Sequence, residues 1–305
     1  MNLLQFVTHY NDETTALKLF EQIRWKDGIP ICPHCEHDKS YRFSNGKHFK
    51  CASCKRKYTV LVGTAFESTK IPLHKWFLGM YLATSRKKGI SSLQLAKDLS
   101  VTPKTAWFML QRMRTMVQIF QPEEMTGVVE IDESYFGGKQ KNKHFDKKVK
   151  HSQGRNLIDK VAVFGMKERN GKVKTMPVPN VKMESLTPIV YEHIEPSLDG
   201  NKIYSDDWTA YYKISQHYDH SFVTHSVGQY GDGEVNTNHM ENTWSHYKRS
   251  YHGCYHSVSA KYMSRYCAEW DYRMNTREKT DYDRFLLALT GANGNNMTYK
   301  ELTNL

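Results

Sequence analysis

The sequence lacks any long apolar run, and this absence excludes the helical membrane proteins. No apolar stretch in its 305 residues approaches the roughly 20 residues that a membrane-spanning helix needs. The opening residues, MNLLQFVTHYNDETT, contain no basic segment followed by an apolar one, so the sequence predicts no signal peptide. We therefore expect a cytoplasmic protein without a membrane partner.

Acidic residues are scarce relative to basic ones. The chain has 32 Asp and Glu against 43 Lys and Arg, which gives a formal net charge of +11 and a pI near 9.2. Such an excess is typical of nucleic-acid-binding proteins, although charge alone also fits a basic protein with no such partner. The 19 Tyr, 13 Phe and 6 Trp exclude a disordered chain, and the length allows two or more domains.

Cysteine is rare as well, but four of the six cysteines have the spacing of a metal site. Cys32 and Cys35 form one C-x2-C pair, and Cys51 and Cys54 form a second pair after fifteen intervening residues. This pattern predicts a structural tetrahedral Zn²⁺ site in a ribbon. The alternative, two disulfides, is disfavoured in a reducing compartment. The sequence thus predicts an α+β zinc ribbon over residues 1–70, with a preceding helix that ends near Trp25 and two short strands between the cysteine pairs.

A helical pattern follows over residues 71–122. Apolar residues recur at helical spacing from Leu73, and a second helix covers residues 91–99. A third begins at Pro103 with Thr102 as its N-cap. The arrangement predicts an all-α helix-turn-helix domain whose third helix binds the DNA major groove, and the alternative is a plain three-helix packing module. The candidate DNA contacts are Lys104, Thr105 and Gln111.

The remaining sequence predicts an α/β domain over residues 123–290, followed by a tail over residues 291–305. Five β-rich segments and the helices between them indicate a mixed five-stranded sheet, in which three strands form a meander and two more follow by helical crossovers. A predicted hairpin has its turn at Asn170-Gly171. The basic stretch from Lys139 to Arg155, which includes Lys147 and Lys148, is either a solvated insertion or a DNA-contacting loop.

Three carboxylates stand at the ends of predicted elements in this last domain. Asp132 ends an apolar strand, Asp206 ends a later one, and Glu241 lies on a helix predicted over residues 236–249. Trp244, Ser245 and Lys248 share one side of that helix with Glu241. Surface solvation is the plain alternative, but acids brought together from two strands and a helix suit a pair of Mg²⁺ ions acting on phosphate esters.

Several motifs together resemble the DDE transposases of bacterial insertion sequences that carry an N-terminal zinc ribbon, the ISXO2-like group related to Merlin elements. The gap between Asp206 and Glu241, residues 207–240, is close to the usual spacing of that family's acids. The matching stretches cover nearly the whole chain: GTAFESTKIPLHKW (63–76), IDESYFGGK (131–139), YSDDWTAY (204–211), NTNHMENTWSHYKR (236–249), YHSVS (255–259) and TYKEL (298–302).

This resemblance implies a ribonuclease-H-like catalytic domain with Asp132, Asp206 and Glu241 as ligands of Mg²⁺ or Mn²⁺. It implies that Lys248 holds a DNA phosphate and that Arg249 also contacts DNA. The expected protein binds the terminal inverted repeats of its element, cleaves them and joins them to target DNA, as a homodimer or larger oligomer near the bacterial nucleoid. Two alternatives remain open: a DNA-binding regulator derived from a transposase, and a nuclease of the same fold that acts on RNA–DNA hybrids.

Overall fold

The chain forms two compact units in the computed structural model, which describes residues 1–137, 144–148, 159–207, 211–224 and 233–303. The terminal unit contains Met1–Ile119 together with Thr276–Leu305, and the central unit contains Phe120–Asn275. Within the described ranges, no helix is both long and apolar enough to cross a membrane.

The terminal unit begins with two helices and a small sheet. Helix α1 covers Leu3–His9, and α2 covers Glu13–Arg24, where the Asp12 carboxylate accepts hydrogen bonds from the N–H groups of Thr14 and Thr15 at 2.7 and 3.0 Å. The ribbon that follows is an antiparallel sheet in the order β1-β2-β3, formed by Ser40–Arg42, His48–Cys51 and Lys57–Thr59. The sequence predicted two of these strands; the third has a single inward residue, Tyr58, and therefore gives little local signal.

Three helices follow the ribbon: α3 (Leu73–Ser85), α4 (Ser92–Leu99) and α5 (Pro103–Val117). The Thr102 hydroxyl accepts a hydrogen bond from the N–H of Thr105 at 3.2 Å, so the predicted N-cap and the first-turn Pro103 are confirmed. The prediction that Gln111 contacts DNA is wrong, because α5 is buried from Met109 onwards and Gln111 is 0% exposed. Lys104, near the start of the helix, is exposed.

The terminal unit is completed by the last helices, α9 (Asp281–Thr290) and α10 (Tyr299–Thr303). Phe285 of α9 lies in an aromatic cluster, with its ring centroid 4.9 Å from that of Phe6 and 5.2 Å from that of Phe77. Residues 276–290 therefore pack with the terminal unit rather than ending the domain that we expected to run from 123 to 290. The physical reason is that α9 supplies the apolar face that covers α1 and α3.

The central unit contains the predicted mixed α/β sheet. Its described strands follow the order β6-β5-β4-β7-β8, with β4, β5 and β6 antiparallel and β4, β7 and β8 parallel. The strands are β4 (Val128–Gly137), β5 (Lys160–Glu168), β6 (Val173–Val178), β7 (Ser197–Asp206) and β8 (Tyr218–Val223), and the helices are α6 (Met183–His193), α7 (Asn238–Ser250) and α8 (Met263–Asn275).

One local prediction for this unit differs from the structure. Between β7 and β8 the described residues contain 3-10 structure at Tyr211 and at Ile214–Gln216, instead of the expected helical crossover. Helix α6 begins at Met183 and contains Pro188 in its interior.

Both faces of the sheet are covered by helices. One face packs on α6 through a core that includes Ile131, Phe164 and Val190. The other face packs on α7 and α8 through a core that includes Phe136, Trp244 and Trp270. Because side chains alternate along a strand, Glu130 and Asp132 point toward α7, whereas Glu133 points toward the α6 face.

Candidate functional site

The four predicted zinc ligands are brought together in the ribbon. The Sγ atoms of Cys32 and Cys54 are 3.7 Å apart, those of Cys35 and Cys51 are 3.6 Å apart, and all four lie within 4.8 Å of one another. A tetrahedral Zn²⁺ with Zn–S bonds of about 2.3 Å requires sulfur separations of about 3.8 Å, whereas a disulfide bond is about 2.05 Å long. The geometry therefore fits Zn²⁺ and excludes the two-disulfide alternative.

The two aspartates predicted on strands lie side by side in the sheet. Strands β4 and β7 are parallel neighbours, and Glu130 pairs with Tyr204. The same register continued by two residues places Asp206 level with Asp132. Strand alternation puts both on the face that α7 covers. The structure thus brings these two predicted site residues to neighbouring strands on one face of the sheet, close enough for the charge of Asp206 to raise the pKa of Asp132.

The third predicted carboxylate comes from α7 and acts on Asp132 through its charge. Burial, followed by the charges of Glu133, Asp206 and Glu241, raises the pKa of Asp132 to about 8. A carboxyl group with this environment is short of positive charge, which is the condition a divalent cation relieves. Among the described residues, the four thiols are the only set of three or more possible metal ligands whose atoms all lie within 4.8 Å of one another. The three carboxylates together are therefore more widely spaced than the thiols.

Glu133 faces the opposite side of the sheet, as the strand alternation predicts. The hydroxyl of Tyr211 donates a hydrogen bond to the Glu133 carboxylate, and Tyr211 is 0% exposed in the core beside α6. Burial and the Glu133 charge raise the pKa of Tyr211 well above its ordinary value. Glu133 is therefore next to Asp132 in the sequence, but its side chain lies on the opposite face of the sheet from Asp206.

Glu130 is a functional candidate that the sequence analysis missed. Its fully buried carboxylate accepts hydrogen bonds from the backbone N–H groups of His239 and Met240 at 2.9 and 3.0 Å and from Arg169 Nε at 2.9 Å. It also contacts the His239 ring nitrogen Nδ1 at 2.9 Å. The N-cap Thr237 makes no side-chain cap of α7. Glu130 therefore caps this helix from the neighbouring strand, directly before Glu241.

Gly165 lets α7 approach the sheet closely at the level of Asp132. Gly165 pairs with Asp132 across β5 and β4. A Cβ atom placed on it would lie 2.6 Å from Cζ2 of Trp244. Because that distance is shorter than real Cβ contacts, any larger residue would force the Met240 and Trp244 side chains of α7 to shift. The pairing of β5 with β4 puts Gly165 beside Asp132, and because glycine has no side chain, α7 can pack closely on the sheet at that level.

The other predicted site residues have varied surroundings. Trp244 is buried, 4% exposed, so it is a core anchor and not a free stacking surface. Lys248 is exposed on α7, and exposed Arg249 donates a hydrogen bond to the Ser245 hydroxyl at 3.0 Å. Thr105 bonds to Thr102 at the start of α5. Lys148 is exposed, whereas the side chain of Lys147 and most of the basic stretch around it fall outside the described residues.

Comparison with known proteins finds two family models. Residues 124–275 match the ISXO2-like transposase domain, and residues 11–57 match the transposase zinc-ribbon domain. The chain is 28% identical over 241 residues to an uncharacterized protein in transposable element ISH50 of Halobacterium salinarum, covering 75% of this chain and 80% of that protein. It is 27% identical over 108 residues to an uncharacterized transposase-like protein of Haemophilus influenzae, covering 35% of this chain and 84% of that protein.

Proposed function

Because the chain belongs to the ISXO2-like transposases that carry an N-terminal zinc ribbon, we propose that it cleaves the ends of an insertion sequence and joins them to target DNA. The observation that carries this proposal is the alignment of Asp132 and Asp206 on adjacent parallel strands, on the face where α7 supplies Glu241. The strand order β6-β5-β4-β7-β8, with one antiparallel and one parallel half, supports a ribonuclease-H-like catalytic fold.

Asp132, Asp206 and Glu241 are the residues that would hold Mg²⁺ or Mn²⁺. Their oxygen atoms are the ligands that these ions prefer, and the raised pKa of Asp132 reflects a local excess of negative charge that a cation would neutralise. Ions held by these residues would supply activation of the attacking water or 3′-hydroxyl and stabilisation of the leaving oxygen. Lys248, exposed two turns beyond Glu241 on the same helix, would bind a phosphate of the DNA end.

Recognition of the terminal repeats is assigned to the helices of the terminal unit. Helices α4 and α5 pack together, and the Thr102 cap fixes the start of α5. Exposed Lys104 and neighbouring Thr105 stand at that end of the helix, where a helix-turn-helix protein places its base-contacting residues. The burial of Gln111 restricts this contact region to the first turns of α5. The arrangement supports duplex DNA as the substrate over RNA–DNA hybrids.

The proposal predicts that Asp132→Asn, Asp206→Asn and Glu241→Gln each abolish strand cleavage while repeat binding persists. Each change removes a charge that positions the metal ions, and loss of this positioning raises the barrier by several kcal/mol, which is at least a hundredfold in rate. The measurement is cleavage of a labelled duplex carrying the terminal repeat, in Mg²⁺ and in Mn²⁺. Lys248→Ala should retain more activity, since it removes a single phosphate contact.

Asp219→Asn serves as the matched control, because Asp219 is a carboxylate on β8 that pairs with Lys202 at 3.5 Å. It should cleave at the wild-type rate. Wild-type cleavage by Glu241→Gln would remove that residue from the site, and wild-type cleavage by both aspartate variants would refute the catalytic proposal. Repeat binding without any cleavage by the unmodified protein would favour a DNA-binding regulator instead.

A further inference from the structure

The zinc ribbon carries an unusual concentration of positive charge. Between Lys39 and Phe66 the chain has seven Lys and Arg residues and no Asp or Glu. A short segment of one sign, held on a small sheet, creates a local positive potential that attracts a polyanion. The helices proposed to read the repeats lie elsewhere in the sequence, so this charge has no role in the function assigned so far.

The strand register places part of this charge on one exposed face. Tyr41 pairs with Lys50, and Lys50 pairs with Lys57, so the three side chains form one row across the sheet. All three are exposed, and Tyr41 is 58% exposed. We call this row the outer ribbon face. The opposite face is buried: the rings of Phe49 and Tyr58 stack there with centroids 5.5 Å apart.

The outer ribbon face is electrostatically unfavourable in the free protein. Lys50 and Lys57 stand directly opposite each other on paired antiparallel strands, an arrangement in which like charges destabilise the sheet. Arg42, on the buried face, is neutralised by an ion pair with Glu21. Within the described residues neither Lys50 nor Lys57 has an acidic partner; Lys57 Nζ lies 5.3 Å from the ring centroid of Phe43. A bound polyanion would neutralise both charges at once.

We propose that the outer ribbon face binds the sugar–phosphate backbone of duplex DNA. Lys50 and Lys57 contact phosphates, and the exposed ring of Tyr41 packs against the adjoining deoxyribose. Contacts of this kind position a protein on DNA without reading its sequence. The ribbon therefore adds affinity for DNA and orients the protein on it. This role does not depend on repeat recognition by α5 or on metal-dependent cleavage, so each of the three can be tested separately.

The test measures DNA binding by the full-length protein over a range of salt concentrations. Each phosphate contact contributes about 0.9 to the slope of log K against log salt concentration. The double variant Lys50→Ala, Lys57→Ala should therefore reduce the magnitude of that slope by about 2 on both repeat and random duplexes. The control is the double variant Lys18→Ala, Lys26→Ala, which removes two exposed cations outside the ribbon sheet and should keep the wild-type slope. Zinc content verifies that each ribbon is folded.

A single charge reversal separates DNA binding from ribbon stability. Lys50→Glu places an acid opposite Lys57, so the ribbon should unfold at the wild-type temperature or above it while duplex affinity falls about tenfold or more. Lys18→Glu is its control. An unchanged slope and affinity would overturn the proposal. A loss of affinity confined to single-stranded oligonucleotides of the same sequence would also overturn it. A change in self-association with duplex affinity intact would overturn it as well, and would identify the face as a contact between two copies of the chain.

Discussion

At the residue scale, burial decides what each ionisable group can do. Asp132 and His220 lie in the same sheet, yet burial shifts their pKa values in opposite senses: that of Asp132 rises to about 8 and that of His220 falls to about 4. In both cases the charged form is disfavoured by desolvation. Asp132 has neighbouring carboxylates that strengthen the effect, whereas for His220 the charge of Asp219 opposes it. The surroundings of both groups therefore favour the neutral form.

His220 gives a pH dependence of stability with a defined sign. Its ring nitrogens contact the hydroxyls of Ser205 and Ser215, each at 2.9 Å, which suits a neutral imidazole. The pKa is about 4 in the folded protein and about 6.5 in the unfolded chain, so the unfolded chain binds the proton first as the pH falls. The contribution of neutral His220 is complete above pH 6.5 and is lost as the pH falls toward 4.

We therefore expect acid to destabilise the wild type more than His220→Gln, by up to roughly 3 kcal/mol between pH 6.5 and pH 4. Urea unfolding at a series of pH values, followed by hydrogen exchange in β7 and β8, measures the difference. The His246→Gln variant, which changes an exposed histidine, should show the same pH dependence of unfolding free energy as the wild type. Because both proteins contain the same zinc ribbon, comparing them cancels any contribution from zinc loss in the terminal unit. Parallel pH profiles for the wild type and His220→Gln would refute this assignment.

At the element scale, α7 is positioned from the strand beneath it. Glu130 receives two N–H groups of the first turn of α7, and Arg169 links the same carboxylate to the loop before the helix through the carbonyl oxygens of Glu234 and Asn236. Gly165 sets how close the helix approaches. Glu130 is thus a positioning residue: it fixes the height of α7 above β4, and with it the location of Glu241 relative to Asp132.

Glu130→Gln should loosen this attachment while leaving the proposed metal ligands unchanged. The change removes the charge that pairs with half-buried Arg169 and with the positive helix end. Breaking a fully buried pair costs about 3–5 kcal/mol, which is the upper limit for this partly exposed one. We expect a lower free energy of unfolding, faster hydrogen exchange in the first turn of α7, and weaker binding of Mn²⁺ followed by electron paramagnetic resonance. Urea unfolding and a cleavage titration with Mg²⁺ complete the measurement.

Glu184→Gln is the control for that experiment, because Glu184 also lies in the first turn of a helix but is exposed on α6. It should change stability by less than about 0.5 kcal/mol. If Glu130→Gln lost stability but bound Mn²⁺ with wild-type affinity, Glu130 would support the fold without positioning Glu241. Wild-type stability would show that the carboxylate does not hold the helix.

What the sequence could predict depended on how local the signal was. The zinc ligands follow from a fixed spacing, and their four sulfur atoms lie together in the ribbon. Asp132 and Asp206 were candidates because they end β-branched runs; Asp206 does end β7, whereas Asp132 lies in the middle of β4, because that strand continues to Gly137. The role of Glu130 depends on contacts with residues more than a hundred positions away, and no local pattern indicates them. Gln111 was misassigned because helical periodicity gives a face but does not reveal that both sides of the second half of α5 are covered.

At the scale of the whole molecule, the chain leaves the terminal unit near residue 119 and returns to it at residue 276. The returning segment is well attached: Phe285 and Leu289 are 0% exposed, and the Arg112 guanidinium donates to the carbonyl oxygen of Met297 at 2.7 Å. The apolar face of a helix does not indicate which element it packs against, so the sequence alone could not assign α9 to α1 and α3. The division of the chain is therefore visible only in three dimensions.

Phe285→Ala should destabilise the terminal unit, and with it the zinc ribbon, by about 3–5 kcal/mol, because it opens a cavity in the aromatic cluster. Hydrogen-exchange mass spectrometry should report faster exchange in α1 and α3, and zinc should be released to a chelator sooner. Exchange in β4 to β8 should stay as in the wild type. Leu287→Ala, at a half-buried position of the same helix, should have a smaller effect. Faster exchange in the central sheet would restore the originally expected boundary at residue 290.

The divided terminal unit also constrains the order in which a ribosome can complete this protein. Its first 119 residues emerge early, but α9 is translated only after the whole central unit, residues 120–275. At about 5–20 residues per second this interval lasts roughly 10–30 s, during which the aromatic surface of α1 and α3 lacks its cover. A nascent chain therefore cannot finish its ribbon-bearing unit until the central unit has been made, and a message cut short within the central unit yields no complete terminal unit.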